Sequence, residues 1–310
     1  MIAGTAFGLV GFMLASVVDD GLQRVHTSKN KDQEMGQAKI KQRAAFAPQL
    51  IDAWEADDCV NFAVALARLT GWLLHVDWWS TSTEQREDMP VDQLKPLRVY
   101  VADNRDGIFD VRGNRSLVEF NQRVIVNLAR RIGSGNGGVY TRFYGEAELA
   151  SLPLRSQPDE GKIAAATLAI QAHPHFLASM PARTPPCLPA YQAARFTYGR
   201  CAAYAEAMQE LTGLQPVALL AIRFTPFFEG TRRSETGYFH SVVLHPDGMA
   251  EDSWGKASLA DIASRFGVIE FKTSSDEHRA VIAKIQASSA ARYDGALQDA
   301  RALIQAHRPR

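Results

Sequence analysis

The sequence has very little cysteine: three residues in 310, Cys59, Cys187 and Cys201, with no CxxC pair and no regular spacing. So small and odd a set excludes a disulfide-stapled scaffold and points to a reducing compartment, while leaving room for one reactive thiol. Net charge is lacking as well. The 34 basic and 34 acidic side chains cancel, which removes any general pull toward nucleic acid or anionic membranes. Met1 to Val18 carry no charged side chain, a length at the lower edge of a membrane span. The stretch contains Gly4, Gly8 and Gly11 and no basic segment precedes it, so a secretory signal fits poorly. It reads as a buried or partner-facing apolar helix, with a membrane anchor as the alternative. The glycine run Gly133 to Gly138 lacks the Lys-Ser/Thr of a phosphate loop and reads as a linker.

What the chain does have is an ordinary apolar fraction, 46%, and length enough for one large domain or two small ones. It also repeats itself. The segment CVNFAVALARLTGW from Cys59 resembles CAAYAEAMQELTGL from Cys201. A shift of 142 (201 minus 59) superposes Ala63, Ala65, Leu69, Thr70 and Gly71 on Ala205, Ala207, Leu211, Thr212 and Gly213. The same shift carries Asp110 to Asp252, Gly113 to Gly255, Ser116 and Leu117 to Ser258 and Leu259, and Arg123 to Arg265. Two matching runs in one register predict a duplicated unit.

Each copy predicts the same elements. Apolar residues at helical spacing follow each cysteine and stop at Gly71 and Gly213. Strand-like runs come next, WLLHVDWW and PVALLAIRF, then RVYVA and HSVVL. Asp106–Gly107 and Asp247–Gly248 signal hairpins whose return strands hold Asp110 and Asp252. GVYTRFYGEAEL and GVIEFKTSSDEH give a last strand each, at a shift of 129 (267 minus 138), so the first copy carries an insertion that includes residues 133–138. A helix followed by an antiparallel sheet is α+β. The expected layout is an apolar N-terminal segment and helix over 1–45, a first copy over 46–150, a Pro- and Ala-rich connector over 151–190 whose cluster of Pro181, Pro185, Pro186 and Pro189 reads as extended, a second copy over 191–275, and a solvated capping helix over 276–310.

The second copy has the residues for thiol chemistry. Cys201 stands where its helix begins, and free amides at a helix N-terminus favour a thiolate. Its own N–H is suited to an oxyanion, and Gly199 permits a tight entry turn. His240 falls on a strand and Asp252 on the next, twelve residues on, where an antiparallel pair brings them together. Cys201 is then the nucleophile, His240 carries the proton and Asp252 orients the ring.

Gly199-Arg200-Cys201 followed by Tyr204-Ala205 resembles the G-x-C-x-x-[YF]-A signature of transglutaminase-like cysteine proteins, a branch of the papain-like superfamily. His240 and Asp252 complete that family's order. The resemblance covers roughly residues 195–275, and more weakly 55–150. Two features depart from it: His240-Ser241-Val242 stands where a His-Ala-Trp run is frequent, and Asp252-Ser253 where Asp-Pro is frequent. Asp58-Cys59 further resembles NlpC-type peptidases. The resemblance implies two tandem transglutaminase-like/papain-like domains, each a cysteine-bearing N-terminal helix on an antiparallel sheet. It implies a cysteine-dependent hydrolase or acyl transferase acting on an amide bond of a protein or peptide, without cofactor or metal. A non-catalytic interaction module of two degenerate copies, membrane-tethered or not, is the alternative.

The first copy keeps Cys59 and Asp110 but sets Arg98 opposite His240. Arginine stays protonated and cannot act as a base, so this copy reads as disabled, with an Arg98–Asp110 ion pair preserving its shape. His75 is a poor substitute. His245 and Asp247 lie near His240 without the spacing of a zinc site. His173 and His175 read as a surface loop. Trp72 reads as core, Trp78 and Trp79 leave core and surface roles open, and Trp254 reads as a wall of the cleft or as core. The expected location is cytoplasmic, with membrane association through residues 1–18 as the variant.

Overall fold

The computed structural model describes residues 46–81, 89–132, 137–183, 188–197, 199–226 and 237–308. The expectations for Met1 to Val18, for Cys187 and for residues 133–136 of the glycine run fall outside them. Helix α1 (Pro48–Ala56) starts with proline in its first turn, where a missing N–H costs nothing. Helix α2 (Val60–Thr70) follows Cys59. Strands β1 (Leu73–Ser80), β2 (Lys95–Ala102), β3 (Gly107–Asp110) and β4 (Gly113–Ser116) then form an antiparallel meander. Helix α3 (Leu117–Phe120) runs through a π-helical turn, Asn121–Ile125, into α4 (Val126–Ile132). Strand β5 (Gly138–Tyr144) returns to the free edge of β1, giving the order β4-β3-β2-β1-β5.

Helices α5 (Glu146–Leu149), α6 (Glu160–Gln171) and α7 (Pro174–Ala178) lead to α8 (Ala190–Thr197) and α9 (Cys201–Thr212). A second sheet comprises β6 (Gln215–Phe224), β7 (Gly237–Leu244), β8 (Ala250–Asp252), β9 (Gly255–Ala257) and β10 (Val268–Ser274), with α10 (Leu259–Ser264) before the last strand. Its order is β10-β6-β7-β8-β9, again antiparallel throughout. Helix α11 (Ser275–His307) closes the chain. The fold is therefore α+β with two five-stranded antiparallel sheets.

The two sheets have the same strand order when β1–β5 are set against β6–β10, and the local chemistry recurs at the spacing of 142. Gly71 and Gly213 end α2 and α9 with φ of 70° and 74°, a left-handed turn that glycine adopts without strain. Their amides donate to Ala67 O and Gln209 O, both at 2.7 Å. Thr70 Oγ1 donates to Leu66 O at 2.7 Å and Thr212 Oγ1 to Met208 O at 2.6 Å. Ser116 caps α3 through the Glu119 amide and Ser258 caps α10 through the Asp261 amide. Asp110 pairs with Gly113 across β3–β4, as Asp252 pairs with Gly255 across β8–β9.

Several expectations are corrected. The connector over 151–190 is helical ahead of its proline cluster: α6 and α7 lie within it. Alanine-rich helix propensity outweighs the flanking prolines, Asp159 caps α6 by accepting the Lys162 amide at 2.8 Å, and Ile163, Ala166 and Ile170 are buried, where α6 meets α2. His173 and His175 bracket the start of α7 rather than forming a loop, and the His173 ring packs on Phe46 at 4.9 Å. The extra length between β4 and β5 is largely helical, from α3 through α4. Helix α11 is more than a solvated cap, because His278, Tyr293, Ala296, Ala300 and Ile304 are buried where it lies along α9. Trp72, Trp78, Trp79 and Trp254 are all buried, which removes the exposed aromatic patch.

One apolar core runs from Phe46 through α2, β1 and α6 to α9 and Ile304, so the two halves share it. At their junction the Trp72 and Trp254 rings stand 5.8 Å apart, and the Arg183 guanidinium lies over both. The other face of each sheet has its own smaller core. Leu97, Tyr100, Phe120 and Ile125 form one, and Val217, Leu219, Val242 and Ile262 the other.

Candidate active site

Three elements converge at the start of α9. Gly199, with φ of 77°, turns the chain sharply before Arg200, and Cys201 is the first helical residue. Its amide donates to no backbone carbonyl among the described residues, as expected for the orphan donors of a first turn. Helix α9 lies against β7 and β6, which brings the thiol to the beginning of β7. There the pairing slips: Leu219 faces His240 and Leu220 faces Tyr238, so Phe239 is an extra residue. Such a bulge breaks the two-residue alternation and re-aims neighbouring side chains.

The expected residues meet. His240 Nε2–H donates to Asp252 Oδ2 at 3.0 Å across the β7–β8 hairpin. Its other nitrogen, Nδ1, has no hydrogen-bond partner among the described residues, and the ring's charge couples to that of the Cys201 sulfur. Asp252 also accepts the Trp254 amide on Oδ1 at 2.9 Å and the Arg265 guanidinium on Oδ2 at 2.9 Å. The Cys201 sulfur lies 3.2 Å from the Tyr238 hydroxyl. Cys201 is 6% exposed, His240 0% and Asp252 2%, so charges here interact with little water between them.

The electrostatics follow from that enclosure. Burial by itself pushes the Cys201 thiol up. The charge of the adjacent His240 imidazolium, with the hydrogen bond of Tyr238, outweighs burial and holds the thiol below its ordinary value. Burial pushes His240 down, but the Cys201 thiolate and Asp252 raise it to about 9. Asp252 is raised by burial and, more strongly, lowered by Arg265 and His240. All three favour the thiolate–imidazolium–carboxylate state.

The first half holds the corresponding residues in another arrangement. Arg98 stands near Cys59 and donates to its sulfur at 2.7 Å, while also pairing with Glu55 at 2.6 Å. The expected Arg98–Asp110 pair is longer, 3.8 Å. Burial pushes the Cys59 thiol up to about 12 against Arg98, whose charge Asp110 and Glu55 offset. The backbone differs too. Asp58 and Cys59 have φ of 55° and 61°, left-handed conformations that cost non-glycine residues about 1–3 kcal/mol each. They are held by the Val99 amide on Asp58 O at 2.9 Å and by the Cys59 amide on Trp54 O at 2.8 Å. The Arg155 amide and guanidinium engage the Asp58 carboxylate. His75 stacks on Tyr100 at 5.5 Å, in the core on the face away from α2, and burial lowers its pKa to about 4. It is not placed to serve Cys59.

His245 is bonded to Glu251 and Asp247 to Lys256, so neither joins His240. Among the described residues no cluster of three potential metal ligands occurs. Sequence reasoning missed five residues at this site: Tyr238, Ser241, His278, Glu206 and Arg265. Only Arg265 left a signal, its match to Arg123 at the shift of 142. That match is not functional in the first half, where Arg123 is paired with Glu119 on the surface. No family model, curated protein or solved structure matches the chain, so its function has to be read from the geometry of these residues.

Proposed function

We propose that the second half is a cysteine-dependent hydrolase or acyl transferase acting on an amide bond, as a peptidase, amidase or deamidase, with Cys201, His240 and Asp252 in the roles of nucleophile, proton carrier and orienting carboxylate. The observation that carries this reading is the buried His240 ring, bonded to Asp252 through Nε2 with Nδ1 unpartnered among the described residues, its charge coupled to that of Cys201. The thiolate attacks the carbonyl carbon, and the carbonyl π pair moves to oxygen, where the Cys201 amide is a suitable donor. The imidazolium then gives its proton to the departing amine nitrogen as the C–N bond breaks, leaving a thioester. Water or an acceptor amine, deprotonated by His240, attacks the thioester and restores the thiol.

In the same reading the chain is a tandem of two transglutaminase-like/papain-like units, the first of which has lost its proton carrier. The shared strand order and the repeated caps support it. A protein or peptide substrate fits a reaction at an amide bond. The test is thiol labelling with iodoacetamide at neutral pH, sites assigned by mass spectrometry. Cys201 should label well ahead of Cys59, and His240→Ala should remove that advantage. Equal, slow labelling of both would favour a non-catalytic module instead.

A further inference from the structure

A second chain of hydrogen bonds, separate from His240 and Asp252, reaches the sulfur. The Tyr238 hydroxyl, 3.2 Å from Cys201 Sγ, is 3.0 Å from Ser241 Oγ. Ser241 Oγ is 3.0 Å from His278 Nδ1, and His278 Nε2 is 2.8 Å from Glu206 Oε1. Four residues from β7, α11 and α9 thus link the thiol to a carboxylate at the protein surface. Ser241, His278 and Glu206 have the composition of a serine hydrolase triad, but Ser241 is 1% exposed and its oxygen lies between Tyr238 and His278. It transmits rather than attacks.

Counting protons gives the chain a direction. A thiolate has none to donate, so Tyr238 must donate to sulfur. The phenol oxygen then needs the Ser241 proton, and Ser241 Oγ needs one from His278 Nδ1; with Nε2–H on the Glu206 carboxylate, the chain runs this way when His278 is an imidazolium. If Nδ1 carries no proton, the Ser241 hydroxyl turns to it, and the Tyr238 and Ser241 oxygens face each other without a hydrogen between them whenever Tyr238 points at sulfur. Buried donors and acceptors left in that state are costly.

We propose that His278, held by Glu206, is a positioning residue that acts through Ser241 to keep the Tyr238 hydroxyl aimed at the Cys201 sulfur. This rests on the thiol chemistry proposed above and adds a second support for the thiolate beside His240. The titratable and charged groups along it are His240 at the sulfur and Glu206 at the far end. Glu210, one turn further along α9, is taken by Arg301 at 2.5 Å.

The experiment is the pH profile of Cys201 alkylation by iodoacetamide in the full chain. Tyr238→Phe removes one hydroxyl from a residue that is 38% exposed and should move the acid limb up by about one pH unit, a roughly tenfold loss of rate on that limb. His278→Leu should move it similarly, and should add nothing in the Tyr238→Phe background. His278→Gln, whose amide can donate to Ser241, should stay close to the parent profile. An unmoved profile in Tyr238→Phe overturns the inference and needs no replacement in the buried interface. So does a His278→Leu effect of equal size with and without the Tyr238 hydroxyl, since that would be structural. In both cases fast labelling of the parent Cys201 leaves the enzyme reading intact. A parent Cys201 that reacts like an ordinary thiol sinks that reading, and this inference with it.

Discussion

At the residue scale the Cys201–His240 pair makes a signed prediction. The ion pair exists between the lowered value of the thiol and the value of about 9 for the imidazolium. Alkylation of Cys201 should fall below the first, and turnover of an amide substrate should fall above the second, giving a bell-shaped profile. Because the folded value of His240 lies above its ordinary 6.5, the stability it adds is complete below that pH and is lost as pH rises through about 9. A thermal melt at pH 7 and at pH 10 should show the loss, and His240→Gln should shrink it. Asp77 acts in the same direction over a lower pH window. Burial raises it to about 7, although Tyr100 and Thr141 donate to its Oδ1. Its ionisation therefore costs stability as pH climbs from 4 to 7. Asp77→Asn should raise the melting temperature at pH 8 and change it little at pH 4.5. The triad was legible because one interval, from Cys59 to Cys201, recurred between Asp110 and Asp252. The Tyr238–Ser241–His278–Glu206 chain was not. Its members come from three elements, and His278 sits on a helix whose composition reads as solvated.

Among the elements, α2 and α9 show how far local chemistry reaches. Their glycine ends, threonine back-bonds and following strands were all legible, since each depends on neighbours within a few residues. Gly213 offers a clean test. A Cβ there meets nothing within 4 Å, so Gly213→Ala should cost only the left-handed backbone, about 1–2 kcal/mol in a urea melt. What escaped the sequence depends on distant partners. The bulge at Phe239 follows from how β7 meets β6. Helix α6 forms in a proline-flanked stretch because α2 offers it an apolar face. The long α11, with its break at Ser289, becomes half-buried only once α9 is in place.

For the whole molecule the shared core matters most. The cluster that holds Phe62 also holds Met208 and Ile304, so neither half can lose its packing alone, and a single cooperative transition is expected. Four of the five tryptophans, Trp54, Trp72, Trp78 and Trp79, lie in the first half, so their fluorescence reports on it, whereas protection of the Cys201 thiol reports on the second. The two probes should give one urea midpoint; separated midpoints would show independent units. That union also fixes how the halves differ. In the second, the main-chain N–H at the thiol meets no backbone carbonyl among the described residues; in the first, Trp54 has claimed it and the backbone has twisted to let it. An imidazole placed in the first half by Arg98→His would therefore leave the Cys59 amide bonded to Trp54 O. The two halves thus differ in the peptide chain as well as in a side chain, and a single codon change would not make them alike.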